Sequence, residues 1–108
     1  MKLRTFFVED NPTIRENLIG TLQELAAVEP VGMADSEATA CQWLDAHTQH
    51  WDLVIVDVFL RQGTGLGVLA ACRRRQPGQR AVVLSNYATP DVRRRCAQLG
   101  VDAVFDKS

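Results

Sequence analysis

Hydrophobic and polar positions follow two different periods along this chain. Short apolar runs, bounded by charged or turn-forming residues, are typical of strands buried in a parallel sheet. They occur at 3–8, Val28–Met33, 52–57, Ala81–Ser85 and Ala103–Phe105. Between these runs, apolar residues recur at helical spacing. Helices are predicted over about 12–26, 36–48 and 65–75, and from Thr89 to Gly100. The alternation of strand and helix predicts a parallel sheet with right-handed crossovers and helices on both faces.

Local signals indicate where several of these elements begin. Asn11 precedes Pro12 and Thr89 precedes Pro90, and each pair combines a helix N-cap with a proline at the first helical position. Pro30 interrupts the second apolar run. Because proline has no backbone N–H to donate, this run is expected to form an edge strand of the sheet.

Length and composition favour a single soluble domain. The 108 residues, 46% hydrophobic and 23% charged, are ordinary for one globular domain spanning 1–108. The net charge of −1 gives no general reason to expect nucleic acid or an acidic membrane as a partner. No apolar run approaches the length of a membrane span, and the start lacks the pattern of a signal peptide. We therefore expect a cytoplasmic protein without membrane or direct nucleic-acid binding.

The cysteines and the arginine triplets do not by themselves indicate a catalytic or metal site. Cys41, Cys72 and Cys96 are odd in number, far apart and without C-x-x-C spacing, so we expect small buried hydrophobes in a reducing compartment. The arginine triplet 73–75 is expected to end the third helix, where cations suit the helix dipole. The triplet 93–95 lies within the fourth helix and is expected to form a solvated basic face that could meet an acidic partner.

Polar side chains stand at the carboxyl ends of four predicted strands. They are Glu9 and Asp10 after the first strand, Asp57 at the third, Ser85 at the fourth and Lys107 after the fifth. Parallel strands end along one rim, where open α/β sheets bind their ligands. Each signal alone has a plainer explanation, because an aspartate after a strand is common in turns and two acids before a helix can be capping residues. The joint pattern at four strand ends is much harder to obtain by chance, and it predicts one cluster.

The predicted cluster contains the groups that phosphoryl transfer needs. Three carboxylates held together repel one another, and a hard divalent cation such as Mg²⁺, which takes oxygen ligands, relieves that repulsion. Asp57 can then act as the nucleophile toward a phosphoryl donor and form an aspartyl phosphate. Lys107 can supply positive charge to the phosphoryl oxygens, and Ser85 can supply a hydrogen bond.

The sequence resembles the receiver domain of response regulators in two-component signalling systems. The resemblance covers nearly the whole chain, in the family's order and spacing. It rests on Val8-Glu9-Asp10-Asn11, Val54-Ile55-Val56-Asp57, Gly65, Val82-Val83-Leu84-Ser85 and Phe105-Asp106-Lys107-Ser108. It implies a flavodoxin-like (CheY-like) α/β fold, a doubly wound parallel sheet of five strands in the order 2-1-3-4-5.

The resemblance also implies roles for single residues. Glu9, Asp10 and Asp57 hold Mg²⁺, with the backbone carbonyl of Phe59 completing the metal site. Asp57 accepts a phosphoryl group from a sensor histidine kinase. The residues implied to bind that phosphoryl group are Ser85 and Lys107. Such a chain is not an enzyme with a separate substrate, since it catalyses only its own phosphorylation and dephosphorylation and signals through a conformational or oligomeric change.

Two departures from the family concern the end of the chain. Receivers normally continue from the lysine into a fifth helix, whereas this sequence is short and ends at Ser108. We therefore expect exposed apolar surface, and either self-association as a homodimer or a truncated chain of marginal stability. Val104 occupies the position of an aromatic residue that usually changes rotamer on activation. The usual coupling to that residue is expected to be absent or carried by Tyr87.

Two further departures lie beside the predicted site. Arg61 stands where the family often has proline, and because arginine does not fix the backbone angle, the loop after Asp57 is expected to be more mobile. Phe59 and Tyr87 stand two residues after Asp57 and Ser85 and should flank the phosphoryl group. Their rings are expected to hinder an attacking water and to make the phosphate decay slowly.

Other readings stay open beside the phosphoacceptor. A phosphatase that works through an aspartyl intermediate usually needs a second acid two residues after the nucleophile, where this chain has Phe59, so that reading is poor. The chain can instead be a dimerisation or docking module of receiver fold that works without phosphorylation. It can also be the isolated receiver part of a longer DNA-binding response regulator.

Overall fold

A computed structural model describes residues 2–107, so Ser108 of the last motif lies outside the described residues. Within this range, strand and helix alternate in the predicted order. The strands are β1 (Leu3–Val8), β2 (Val28–Ala34), β3 (Leu53–Val56), β4 (Arg80–Ser85) and β5 (Ala103–Asp106). The helices are α1 (Pro12–Leu25), α2 (Glu37–Ala46), α3 (Gly65–Ala71) and α4 (Pro90–Gln98). Apart from α3, the predicted bounds agree with these to within two residues.

All five described strands pair in parallel in one sheet of order β2-β1-β3-β4-β5. The flavodoxin-like fold predicted from the sequence is confirmed. As its proline predicts, β2 is an edge strand, and the pairing shifts beside that proline: Thr5 lies opposite Pro30, whereas Phe6 lies opposite Gly32. Since β3 lies in the middle of the sheet, its carboxyl end lies between those of β1 and β4.

Each described helix begins at a side chain that caps it. The capping residues of α1 to α4 are Asn11, Ser36, Thr64 and Thr89. Each side chain accepts a hydrogen bond from the backbone N–H three residues later, which satisfies a donor that the helix leaves unpaired. The caps of α1, α3 and α4 fix where these helices begin after the carboxyl ends of β1, β3 and β4. Among the described helices, the longest has 14 residues, and none is long and apolar enough to cross a bilayer.

Helix α3 is shorter than the sequence predicts. It ends at Ala71, so the arginine triplet 73–75 lies in the turn beyond the helix, and its predicted place in the last helical turn was wrong. The Arg75 guanidinium donates to the Gly100 carbonyl at 2.6 Å and to Asp102 Oδ2 at 2.8 Å. These tertiary hydrogen bonds hold the triplet in a turn, although arginine itself is a good helix former.

Asp102 is expected to stabilise the fold at neutral pH and to lose that effect in acid. Burial alone would raise the pKa of this carboxyl, but hydrogen bonds from the Ala81 amide and the Arg75 guanidinium outweigh burial and lower the pKa. A carboxyl whose pKa is lower in the folded state stabilises above its unfolded pKa of about 4, and the stabilisation disappears as the pH falls through the folded pKa.

Asp102→Asn should therefore lower the free energy of unfolding by about 1–2 kcal/mol at pH 7. At pH 3 the loss should be smaller, because this pH lies below the unfolded pKa of about 4 and part of the charge-dependent stabilisation is then already lost. Urea unfolding at the two pH values measures both losses. Equal losses at pH 7 and pH 3 would show that the charge of Asp102 contributes nothing.

The two faces of the sheet are covered unequally. Residues of α2, α3 and α4 pack on the larger core, whereas α1 covers a smaller one on the opposite face, around Phe7 and Ile55. On the face that α1 covers, here called the α1 face, the part of the sheet formed by β4 and β5 is less covered. Leu84 is partly buried there, and Phe105, its partner on β5, is 54% exposed. A groove of about 420 Å³ between α1 and β4 includes Leu18 and Leu84 in its lining.

The cysteines behave as small hydrophobes. Cys72 and Cys96 are buried, Cys41 is partly buried, and all three are free thiols. Burial raises the pKa of Cys72 to about 11. This thiol is therefore protonated and unreactive at neutral pH, in agreement with a structural role.

Candidate functional site

The ends of β1 and β3 bring three carboxylates together. Glu9 and Asp10 follow β1 and Asp57 follows β3, and one carboxylate oxygen from each lies within 4.8 Å of the other two. Parallel pairing causes this arrangement. Val8 lies opposite Val56, so the residues that follow them leave the sheet side by side. The structure thus places the three acids predicted from the sequence in one cluster.

Lys107 joins this cluster from the end of β5. Its backbone N–H donates to the Ser85 carbonyl at 2.8 Å and so continues the β4–β5 pairing by one residue. Its ammonium donates to Glu9 Oε1 at 2.5 Å and lies 3.5 Å from Asp57 Oδ2. The side chains of the three acids and the lysine are only 4% to 15% exposed. One ammonium therefore faces three largely buried carboxylates, and the cluster keeps an excess of negative charge.

Burial is the main influence on the charge of Asp57. It raises the pKa of this carboxyl above its usual value, although the Lys107 ammonium and a hydrogen bond from the Phe59 amide act against it. The Glu9 carboxylate acts in the same direction as burial. The ionised form of Asp57 is therefore destabilised in this structure. A further cation beside it would stabilise that form.

The donor set fits a hard divalent cation. Mg²⁺ binds carboxylate oxygens, commonly one or two of them, and completes its shell with water and phosphate. Glu9 is the acid held most closely by Lys107, because its Oε1 lies 2.5 Å from the ammonium, compared with 3.5 Å for Asp57 Oδ2, and its other oxygen accepts from the Asn11 amide at 3.3 Å. Asp10 and Asp57 are therefore the better direct ligands. The metal-binding role of the Phe59 carbonyl stays a prediction.

Two backbone amides of the β3–α3 loop, residues 57–64, also hold the cluster, and the sequence did not predict them. The Phe59 N–H donates to Asp57 Oδ1 at 3.1 Å, and the Arg61 N–H donates to Asp10 Oδ2 at 2.7 Å. The sequence does hint at the second bond, because Arg61 has a backbone N–H to donate, whereas the proline often found at this position in the family has none. The departure from the family at Arg61 thus adds a contact to the candidate metal site.

Ser85 ends β4, the strand next to β3, and is fully buried, but it does not line the cavity over the cluster. Its hydroxyl oxygen accepts a hydrogen bond from the Tyr87 amide at 3.1 Å. This bond fixes the hydroxyl oxygen at the strand end. A hydrogen bond from Ser85 to a phosphoryl group stays a prediction.

A small cavity of about 180 Å³ opens over the cluster. Its lining includes the three acids, Lys107, and side chains from the loops that follow β1, β3 and β4. The rings of Phe59 and Tyr87 also line it, and they contact edge to face with centroids 5.6 Å apart and planes at 89°. These rings are 50% and 65% exposed. They therefore flank the candidate site on its solvent side, as the sequence predicts.

Comparison with known sequences identifies a family. The profile of the response regulator receiver domain matches residues 5–108. A protein of Mycobacterium tuberculosis, described as a probable transcriptional regulatory protein NarL, is 28% identical over 99 residues. The match covers 92% of this chain and 45% of that protein. The chain thus spans about half the length of the curated relatives it matches.

Comparison with solved structures identifies the same fold. The signal receiver domain of NarL from Mycobacterium tuberculosis is 27% identical, with a TM-score of 0.82 over 95% of this chain and 82% of that chain. A LuxR-family DNA-binding response regulator from Staphylococcus aureus is 20% identical, with a TM-score of 0.85 over 97% and 86%. The CheX–CheY–BeF3–Mg complex from Borrelia burgdorferi gives a TM-score of 0.88 at 15% identity, over 98% and 78%. The last two show the fold alone.

Proposed function

Since this chain belongs to the response regulator receiver domain family, we propose that it is a Mg²⁺-dependent phosphoacceptor of a two-component system, phosphorylated on Asp57. The observation that carries the proposal is the placement of Asp57 in the cavity. Its carboxylate lies beside Glu9 and Asp10 and 3.5 Å from the Lys107 ammonium. A nucleophile between a cation-binding pair and a fixed positive charge has the parts that phosphoryl transfer requires, because that reaction depends on positioning and charge neutralisation.

The proposed donor is the phosphohistidine of a sensor histidine kinase. A carboxylate oxygen of Asp57 attacks the phosphorus in line with the P–N bond. The O–P bond forms as the P–N bond breaks, and the imidazole leaves with the bonding electrons and takes up a proton. Lys107 pairs with the phosphoryl oxygens while Glu9 balances its charge. Mg²⁺ held by Asp10 and Asp57, with Glu9 beside it, would neutralise the phosphoryl oxygens.

Water reverses the modification in the proposed cycle. It attacks the phosphorus, inorganic phosphate leaves, and the Asp57 carboxylate is restored. The chain then catalyses only its own phosphorylation and dephosphorylation and acts on no separate substrate. We place this cycle in the cytoplasm, with the kinase as partner.

Beryllofluoride tests the proposal without a kinase, because it mimics a phosphoryl group on an aspartate. Wild-type protein with beryllofluoride and Mg²⁺ should unfold at a higher temperature than the same protein with either reagent alone. A ligand that binds only the folded state stabilises it by mass action. The absence of any stabilisation in the complete mixture would contradict the proposal and favour a docking module that works without phosphate.

The phosphorylated form is expected to be long-lived because the Phe59 and Tyr87 rings cover the approach of water to Asp57. Phe59→Asn should speed decay roughly tenfold, equivalent to about 1.4 kcal/mol of barrier. Tyr87→Phe keeps the ring and serves as the matched control, with decay close to wild type. The measurement is the loss of label after the phosphoryl donor is removed. Unchanged decay in Phe59→Asn would show that the rings do not control water access.

We further propose that the output includes formation of a homodimer. On the α1 face, Leu84 and Phe105 present apolar surface at the β4–β5 end of the sheet. Val104, at the position of the usual aromatic switch, packs against the larger core on the opposite face. Light scattering with and without beryllofluoride measures the molar mass. A dimer of the 12.0 kDa chain with beryllofluoride and a monomer without it support this output, and the same molar mass in both states rules it out.

A second candidate is that the chain serves as the receiver of a transcriptional regulator. The description of the Mycobacterium tuberculosis relative, of which the match covers 45%, favours it. The mass of the native protein in its own cells decides between the candidates. A mass of 12.0 kDa indicates a receiver that acts alone, and a mass near twice that indicates a longer regulator.

A further inference from the structure

The β3–α3 loop is also held by a carboxylate outside the candidate site. Glu37, the first residue of α2, accepts the Thr64 N–H through Oε1 at 2.8 Å. The backbone N–H of Glu37 donates to the Gln62 carbonyl at 3.1 Å. Glu37 therefore binds the loop through its side chain and its main chain together, although 27 residues separate it from Thr64.

Two glycines lie close to Glu37, Gly63 in the loop and Gly67 in the first turn of α3. A Cβ atom added to Gly63 or to Gly67 would overlap the Glu37 side chain. Gly63 also has a φ of +77°, in the left-handed region that other residues rarely adopt. Glycine at position 63 therefore suits both the conformation of the loop and its closeness to Glu37.

A backbone bridge connects this contact to the phosphoacceptor. Phe59 and Thr64 face each other across the loop as an isolated antiparallel bridge. The Phe59 amide donates to Asp57 at 3.1 Å, whereas the Thr64 amide donates to Glu37 at 2.8 Å. Each member of the bridge therefore binds a different carboxylate. A shift of the loop at Thr64 is therefore expected to move the donor at Phe59.

We propose that Glu37 is a positioning residue for phosphorylation of Asp57. By fixing Thr64, it holds the loop so that the Phe59 and Arg61 amides stay bonded to the carboxylates of Asp57 and Asp10. This inference rests on the proposed function and adds a residue that the family resemblance does not assign. Because displacing a reacting group by about 1 Å can slow a reaction up to about 10²-fold, loss of this contact should slow phosphorylation about tenfold.

Two conservative variants separate the reach of the side chain from its charge. Glu37→Gln keeps the length and the acceptor oxygen but loses the charge, so its labelling by acetyl phosphate with Mg²⁺ should stay close to the wild-type rate. Glu37→Asp keeps the charge but withdraws the oxygen from Thr64, so it should be about tenfold slower, like Glu37→Ala. A role in stabilising the start of α2 would give the opposite order, because that effect follows the charge.

Amide hydrogen exchange gives a readout that needs no phosphoryl donor. Exchange at Thr64 and Phe59 should be faster in Glu37→Asp and Glu37→Ala and unchanged in Glu37→Gln. Glu24→Ala, which removes an exposed glutamate of α1, is the control and should match wild type in exchange and in rate.

The outcomes distinguish this inference from the function on which it rests. Glu37→Ala that is phosphorylated at the wild-type rate, or Glu37→Gln that is as slow as Glu37→Asp, would overturn the inference alone. A wild-type chain that takes no phosphoryl group under any condition would overturn the proposed function, and the positioning role with it.

Discussion

Asp57→Asn is expected to abolish labelling of the chain by acetyl phosphate in the presence of Mg²⁺. Asparagine keeps the shape of the side chain and an acceptor for the Phe59 amide, but its amide is neutral and is not a useful nucleophile. Loss of the attacking group should lower the rate by at least about 10³-fold. Intact-mass measurement of phosphoryl incorporation gives the result directly.

The same variant is expected to be more stable than wild type when Mg²⁺ is absent. Burial raises the pKa of Asp57, so its ionised form destabilises the fold at neutral pH, and the neutral amide removes that effect. Lost labelling together with raised stability excludes unfolding as the cause. Asp45→Asn, at an exposed position of α2, is the matched control and should be labelled normally. Labelling of Asp57→Asn at the wild-type rate would exclude Asp57 as the acceptor.

Lys107→Met is expected to destabilise the protein strongly without Mg²⁺. The change leaves Glu9, only 3% exposed, without the ammonium that lies 2.5 Å from its carboxylate. Breaking a buried ion pair by removing one partner leaves an uncompensated charge, so the free energy of unfolding should fall by about 3 kcal/mol. Phosphorylation should be lost as well, because the other cation among the described residues that line the cavity, the Arg61 guanidinium, lies 4.0 Å from Asp10 on a side chain that is 83% exposed.

Urea unfolding with and without Mg²⁺ tests this second expectation. The cation should restore part of the lost stability, since it binds the folded cluster and supplies positive charge in place of the ammonium. Lys2→Met removes the other lysine, which is exposed, and should leave stability unchanged with or without the metal. If Lys107→Met and Lys2→Met unfold alike, the ion pair with Glu9 contributes no stability.

The carboxylate cluster was predictable because it depends on strand ends alone. The apolar runs before Glu9 and Asp57 mark buried parallel strands, and such strands end on the same side of a sheet. The order of strands and helices then placed Ser85 and Lys107 at that rim. Capping residues and prolines gave the helix starts for the same reason, since each signal lies within three residues of its effect.

The remaining features depend on contacts between residues distant in sequence. The early end of α3 follows from the bonds of Arg75 to Gly100 and Asp102, which no local pattern reveals. Glu37 is the first residue of α2, and its bond to Thr64 could not be predicted because the two residues are 27 positions apart in the sequence. The Arg61 amide had a faint signal, because a residue with an N–H stands where proline is usual.

The location of the phosphoryl group tests the central claim most directly. Borohydride reduces an aspartyl phosphate to homoserine, which peptide mass spectrometry assigns to a single position. After incubation with acetyl phosphate and Mg²⁺, we expect homoserine at position 57 and unmodified aspartate there when a chelator replaces the metal. Homoserine at another position, with none at 57, would contradict the assignment of Asp57 as the phosphoacceptor.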